Sequence, residues 1–302
     1  MKRTVTNGLI MATYSGSIMY GTNRPDSDVD IRGVCFSPIE AIVGLSPFEQ
    51  YKPSGDEAIG FTSETFGIES DDIQIYSIGK FFKLLLDANP NIIELLFTNS
   101  YLYNSATWLR ICTNKKLFLS NKIIHTFSGY AYAQLVKIER HKRWLDNPVV
   151  KPNPHKYGLY TDKNGADKWD DPRQMKRYKA DQIEYKNYST WRKNRNPARA
   201  ELEKKHNYDT KCALHLYRLI MEAENLLKTG YIQLPLCDPD IRTLKNILNG
   251  GEKYEDVVEM ARNAHDYLVS LESSSVLPHS PNRKKAEKLL MELQLGWIEQ
   301  WI

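Results

Sequence analysis

Two aspartates one residue apart, Asp28 and Asp30, stand at the head of an alternating segment, Val29-Asp30-Ile31-Arg32-Gly33-Val34-Cys35-Phe36. In a strand, side chains two positions apart project to the same face. Asp28, Asp30 and Arg32 therefore share one face, while Val29 and Ile31 turn to the other, toward a core. Paired carboxylates suit a hard divalent cation: magnesium takes oxygen ligands, usually one or two carboxylates completed by phosphate oxygens and water. Arg32, in the same row, can contact a phosphate or pair with a carboxylate. Upstream, the apolar run Leu9-Ile10-Met11-Ala12-Thr13-Tyr14 ends at Ser15-Gly16-Ser17. Glycine there lets backbone approach a triphosphate closely, and a helix beginning near Ser17 would turn its N-terminal amides toward an anion. The chemistry that fits is phosphoryl or nucleotidyl transfer, in which metal ions neutralise charge developing on phosphate.

A third carboxylate is available from Asp71-Asp72-Ile73-Gln74-Ile75-Tyr76. Asp72 shares a face with Gln74 and Tyr76, and Asp71 with Ile73 and Ile75. If the isoleucines are core, alternation favours Asp72 over Asp71 for the site.

These residues need a scaffold. Residues 9–14, 29–36 and 73–76 read as strands, with a turn at Asn23-Arg24-Pro25-Asp26 and a looser Gly-, Ser- and Pro-containing region from Ser37 to Glu69. Helices follow. Phe81, Phe82, Leu84, Leu85 and Leu86 cluster on one, and Asn89-Pro90 opens another, with Asn89 as cap and Pro90 at the first position. A helical pattern runs from Thr210 to Lys228 and closes at Gly230. Further helices are expected around 257–272 and 282–302.

The chain has 302 residues, 41% hydrophobic and 26% charged, which fits a soluble globular protein of two domains or of one with a large appendage. No apolar run approaches the roughly 20 residues that span a bilayer. The start, Met1-Lys2-Arg3-Thr4-Val5-Thr6, has no apolar stretch ending in a cleavage site. The expected setting is cytoplasmic, without membrane attachment. Cys35, Cys112, Cys212 and Cys237 are scattered, which suits neither a zinc site nor a disulfide framework. His125, His141, His155, His206, His265 and His279 show no metal-ligand spacing and are expected to be structural. A net charge of +4 is too mild to argue for nucleic acid by itself.

Gly16-Ser17-Ile18-Met19-Tyr20-Gly21-Thr22, followed by Ser27-Asp28-Val29-Asp30-Ile31-Arg32-Gly33-Val34, resembles the signature of the DNA polymerase β nucleotidyltransferase superfamily. More narrowly, it resembles the RNA-ligase-associated branch found in bacteria and phages and linked to RNA repair. Two further stretches match that branch: Asp72-Ile73-Gln74-Ile75-Tyr76 through Lys80 and Asn89-Pro90 to Leu96, and Tyr208-Asp209-Thr210-Lys211 through His215 and Arg218 to Gly230. The resemblance covers roughly residues 8–97 and 206–235. It implies an α+β chain, a small mixed-sheet catalytic domain (1–130) followed by a helical domain (131–302). It implies metal binding at Asp28, Asp30 and Asp72, with Asp72 helping to deprotonate an attacking hydroxyl. The implied cofactor is magnesium (Mg2+), with manganese (Mn2+) as a substitute. The implied nucleotide is a triphosphate such as ATP, held by Gly16, Ser17, Ser27 and Arg32.

Lys211, His215 and Arg218 stand at i, i+4 and i+7, which puts three nitrogen groups on one helix stripe, suited to nucleotide phosphates. Lys80 and Lys83 are weaker candidates. Between residues 137 and 205 many basic residues, among them Lys151, Lys179, Lys186, Arg192 and Lys193, interleave with Trp144, Tyr157, Tyr160, Trp169, Tyr178, Tyr185, Tyr188 and Trp191. Cations attract phosphates and aromatic faces stack on unpaired bases, so this stretch suits RNA or DNA; five aspartates dilute its charge, and a solubilising insertion is the plain alternative. The leading expectation is transfer of a nucleoside monophosphate to a nucleic-acid 3′ hydroxyl. A protein side chain or small molecule is the alternative acceptor, and a non-catalytic nucleic-acid-binding protein the alternative class. Trp297, Ile298, Trp301 and Ile302 either pack inside or form a partner surface such as that of a homo-oligomer.

Overall fold

Strong alternation at the N-terminal end builds a five-stranded sheet. The structure, a computed structural model, describes residues 2–25 and 27–300. The strands are β1 (Leu9–Ser15), β2 (Asp30–Cys35), β3 (Gln50–Tyr51), β4 (Asp72–Ser77) and β5 (Tyr101–Asn104), in the order β3-β4-β2-β1-β5. β2 and β4 run parallel, and β1–β2, β1–β5 and β3–β4 are antiparallel, so the sheet is mixed.

Its two faces separate cleanly. Ala12, Ile31, Cys35, Ile73 and Ile75 point to a small core shared with Val5, Ala58 and Phe61. Ile10, Met11 and Val34 point the other way, into one large apolar core that continues through the helices to Leu293. Numbering helices of eight or more residues, these are α1 (Asp56–Phe66), α2 (Ile78–Leu86), α3 (Ala106–Thr113), α4 (Lys122–Asp146), α5 (Pro172–Lys193), α6 (Pro197–His206), α7 (Thr210–Thr229), α8 (Asp238–Leu248), α9 (Tyr254–Ser270) and α10 (Arg283–Ile298). Local chemistry sets their ends. Ser77 accepts a hydrogen bond from Lys80 N at the start of α2, Asp209 accepts from Cys212 N at the start of α7, and Gly230 ends α7 in the left-handed conformation.

The chain is α+β, with a small mixed sheet and a helical remainder, as the resemblance implies. Several details differ from the sequence expectation. The region 37–69 is not merely loose: it holds a short helix (Ile39–Val43), β3 and α1. β5, with two exposed residues and an irregular register, has too weak a pattern to be read from sequence. Pro90 does open a helix, Pro90–Ile93, but the Asn89 amide donates to Tyr130 Oη instead of capping it. Residue 130 lies inside α4, so the expected domain boundary falls within a continuous helix. Residues 137–205 carry the end of α4, a two-stranded hairpin (Leu159–Thr161 and Asp167–Trp169), α5 and α6. Trp297 packs inward, its ring stacked on Phe36 at 4.8 Å. Trp301 and Ile302, like Met1 in the N-terminal reading and Asp26 in the turn, lie outside the described residues. Among those described, no helix is long and apolar enough to cross a membrane.

Candidate active site

The parallel register of β2 and β4 sets Asp30 directly opposite Asp72, and the antiparallel register sets Ser15 opposite Asp30 on its other side. Each strand alternates, so both carboxylates leave the sheet on the same face, as Ile31 and Ile73 fill the opposite core. Arg32 Nη1 donates to Asp72 Oδ1 at 3.0 Å and to Ile31 O at 2.8 Å, which fixes the Asp72 carboxylate. The Asp30 carboxyl is pushed above its ordinary range, first by burial and next by the neighbouring Asp72, against the pull of Arg32 and Lys211. Two carboxylates this close resist double ionisation unless a cation joins them.

Gly16 forms the wall of this cleft. Its φ of 59° is left-handed, and a Cβ built there would lie 2.3 Å from Asp30 Oδ2. Only glycine lets the chain turn from β1 into the short helix Gly16–Tyr20 while touching that carboxylate. Ser17, in the first turn of this helix, is half-buried. Asp28 lies on the exposed loop just before β2 and makes no hydrogen bond or ion pair among the described residues, so its oxygens are free. Ser27 is used locally: its Oγ accepts from Arg24 N at 2.8 Å. Asp71 is exposed, outside the pair.

The α7 stripe divides. Lys211 is exposed and near enough to Asp30 to favour its ionised form. His215 is pushed down to about 3 by burial and by the positive charges of Arg218, Lys211 and Arg199, so its imidazole is neutral. Arg218 leaves the expected phosphate-facing set. It is 4% exposed, its guanidinium donates to Glu94 and to Glu222 at 2.9 Å, and it lies 4.3 Å from the Tyr20 ring, whose hydroxyl donates to Glu94. Its charge is fully engaged in fastening the helix after Gly16 to α7 and the Pro90 turn. Sequence reasoning missed Glu94, Glu222 and Tyr20. The available signal was a glutamate inside the apolar run Ile92-Ile93-Glu94-Leu95-Leu96 and another four residues after Arg218. Lys80 pairs with Glu49 at 2.9 Å, and Lys83 is exposed.

Behind the start of α7 lies a second polar group. His141, Glu203 and Asp209 offer ligand atoms within 4.8 Å of one another and could bind a metal ion. Arginines already balance the two carboxylates: Arg199 donates to Asp209, and Arg195 pairs with Glu203. His141 Nδ1 lies 2.8 Å from Asp209, whose pKa is held well below the usual carboxylate range despite burial, by His141 and then Arg199. His141, expected to be merely structural, thus helps fix the cap from which Lys211 projects.

Residues 1–291 match the model of the RNA repair pathway DNA polymerase beta family. The chain is 27% identical over 132 residues to an uncharacterized 38.9 kDa protein encoded in the nrdC-mobD intergenic region of Enterobacteria phage T4, covering 42% of this chain and 38% of that protein. It is 31% identical over 122 residues to the uncharacterized protein MJ0002 of Methanocaldococcus jannaschii, covering 40% and 46%. The match thus spans less than half the length of either relative. No solved structure matches significantly.

Proposed function

The chain belongs to the RNA repair pathway DNA polymerase beta family, and from that premise we propose that it transfers a nucleoside monophosphate from a triphosphate to an RNA 3′ hydroxyl. The observation that carries this reading is the facing pair Asp30 and Asp72 on adjacent parallel strands, closed on one side by Gly16. A divalent ion fits there: burial, and next the neighbouring Asp72, make Asp30 easier to protonate than a free carboxyl, and a bound cation would offset both. Asp28, Asp30 and Asp72 would hold magnesium, or manganese in its place, which when bound neutralises phosphate charge.

The chain's own groups supply the rest. The Gly16 backbone and Ser17 border the polyphosphate, and Lys211 offers a compact positive charge to it. His215 stays neutral and can donate one hydrogen bond without adding charge. Arg32 holds the Asp72 carboxylate in place. Asp72 takes the proton of the attacking hydroxyl as its oxygen bonds to the α-phosphorus and the bond to the β-phosphate oxygen breaks, releasing pyrophosphate. Arg218 acts at one remove by anchoring Tyr20 and so the turn at Gly16.

The test is label transfer. The protein is incubated with magnesium and each α-labelled triphosphate in turn, with an RNA bearing a free 3′ hydroxyl, beside an Asp28→Ala, Asp30→Ala double variant. Label on the RNA only with the unaltered protein supports the proposal and identifies the base. Label on the protein itself or on an added small molecule moves the acceptor. No transfer to any acceptor removes the enzymatic reading.

A further inference from the structure

The face of α5 that points away from the core is a groove of one charge. Two hollows of about 480 and 520 Å³ lie between this helix and residues 148–152, and they share Lys151 and Tyr185, so they form one continuous trough. Lys151, Lys179, Lys186, Arg192 and Lys193 line it, with Tyr185 between them. All five cations are exposed, and none has an acidic partner among the described residues.

The acidic residues of the same helix are used on its inner side. Asp181 accepts from Tyr157 Oη at 2.7 Å, and Glu184 accepts from Arg143 and from Trp144 Nε1, each at 2.7 Å. The two acidic residues of this helix, Asp181 and Glu184, therefore do not dilute the charge of its outer face. Lys179, Lys186 and Lys193 recur every seven residues, which aligns them along one edge over about 21 Å at 1.5 Å per residue. Tyr185 is half-buried, with a ring at the floor of the trough, and Ile183 is 61% exposed beside it.

The trough is also joined to the cleft through packed side chains. Tyr188, in its floor, packs on Trp144 at 5.8 Å, and Trp144 stacks on His141 at 5.6 Å. His141 holds Asp209, the cap of α7, and α7 carries Lys211 toward Asp30.

We propose that this trough binds the phosphate backbone of a single-stranded RNA, the acceptor whose end reaches the carboxylate cleft. The inference rests on the nucleotidyl-transfer reading for that end, but concerns a separate surface. Unpaired cations match a phosphodiester chain, and apolar and aromatic floor residues suit exposed bases better than a closed duplex.

The experiment measures binding of a fluorescent single-stranded RNA to the full chain by anisotropy across a salt series. The variant K179Q/K186Q/K193Q is compared with K284Q/K285Q/K288Q, which removes the same charge from exposed positions on α10. With about 0.7 of slope per phosphate contact on single strands, the trough variant should lower the salt slope by about 2 and weaken low-salt binding at least about tenfold. The α10 variant should bind as the unaltered protein does. An equal loss in both variants means that net charge alone is responsible, and overturns the proposal. Undiminished binding by the trough variant overturns it too, and leaves label transfer untouched. Competition by RNA duplex or by an acidic peptide as effective as by single strand overturns the choice of occupant. The Asp28→Ala, Asp30→Ala variant should bind RNA normally while failing to transfer label, which separates failure of the trough from failure of the active site.

Discussion

Gly16→Ala tests the cleft with one methyl group. The new Cβ would sit 2.3 Å from Asp30 Oδ2. Ordinary contact needs about 1 Å more, and the softest response is rotation of the Asp30 carboxylate out of the cleft. That response spares the fold but misplaces the group, and a displacement of about 1 Å at a reacting site costs about 10²-fold in rate. The backbone term is separate: alanine at a φ of 59° costs about 1–2 kcal/mol. Gly67→Ala isolates it, because Gly67 has a φ of 70° and nothing within 4 Å of its would-be Cβ. Both variants should lose a few degrees of melting temperature, at about 2–4 °C per kcal/mol for a chain of this order of size. Only Gly16→Ala should lose nucleotidyl transfer by about 10²-fold, measured as initial rate at saturating triphosphate. A Gly16→Ala enzyme within about threefold of the unaltered rate, or a Gly67→Ala enzyme equally impaired, would refute the reasoning.

Asp72→Asn should abolish transfer, and Asp71→Asn, exposed and outside the pair, should leave the rate within about twofold, as steady-state kinetics will show. Lys211→Ala should raise the Michaelis constant for triphosphate; unaltered kinetics would remove its phosphate role. Arg218→Ala leaves Glu94 and Glu222 buried without their cation and should destabilise the fold by about 3–5 kcal/mol in urea unfolding. His215 supplies a pH signature. It titrates near 6.5 when unfolded and near 3 when folded, so the unfolded state holds the extra proton between those values. Stability should therefore fall as pH drops from 6.5 toward 3, by up to about 1.4 kcal/mol per unit from this group. His215→Gln should flatten that slope relative to the unaltered chain, and an identical slope in both would show that His215 is not neutral in the fold.

Alternation alone separates the carboxylate face of the sheet from its core face. Because strand side chains alternate strictly, Asp30-Ile31 and Asp72-Ile73-Gln74-Ile75 each declare which residues face the core, and β2 and β4 keep Ile31, Ile73 and Ile75 on that side, whereas Asp28 lies on the loop before β2 and its direction is not set by strand alternation. The i, i+4, i+7 spacing on α7 is equally legible, since helix geometry is local. Sequence does not reveal what waits opposite each helical position. Lys211 and Arg218 are alike on a helical projection, yet one meets solvent and the other meets Glu94, which is 124 positions away in the chain. The same holds for charge in residues 137–205: acidic and basic residues alternate in sequence, and only the packing of Glu184 on Trp144 and of Asp181 on Tyr157 leaves the outer edge of α5 uniformly positive. Periodicity is set by backbone geometry within a segment and can be read from the chain. The fate of a charge depends on partners that only the packing of distant segments brings within hydrogen-bonding distance.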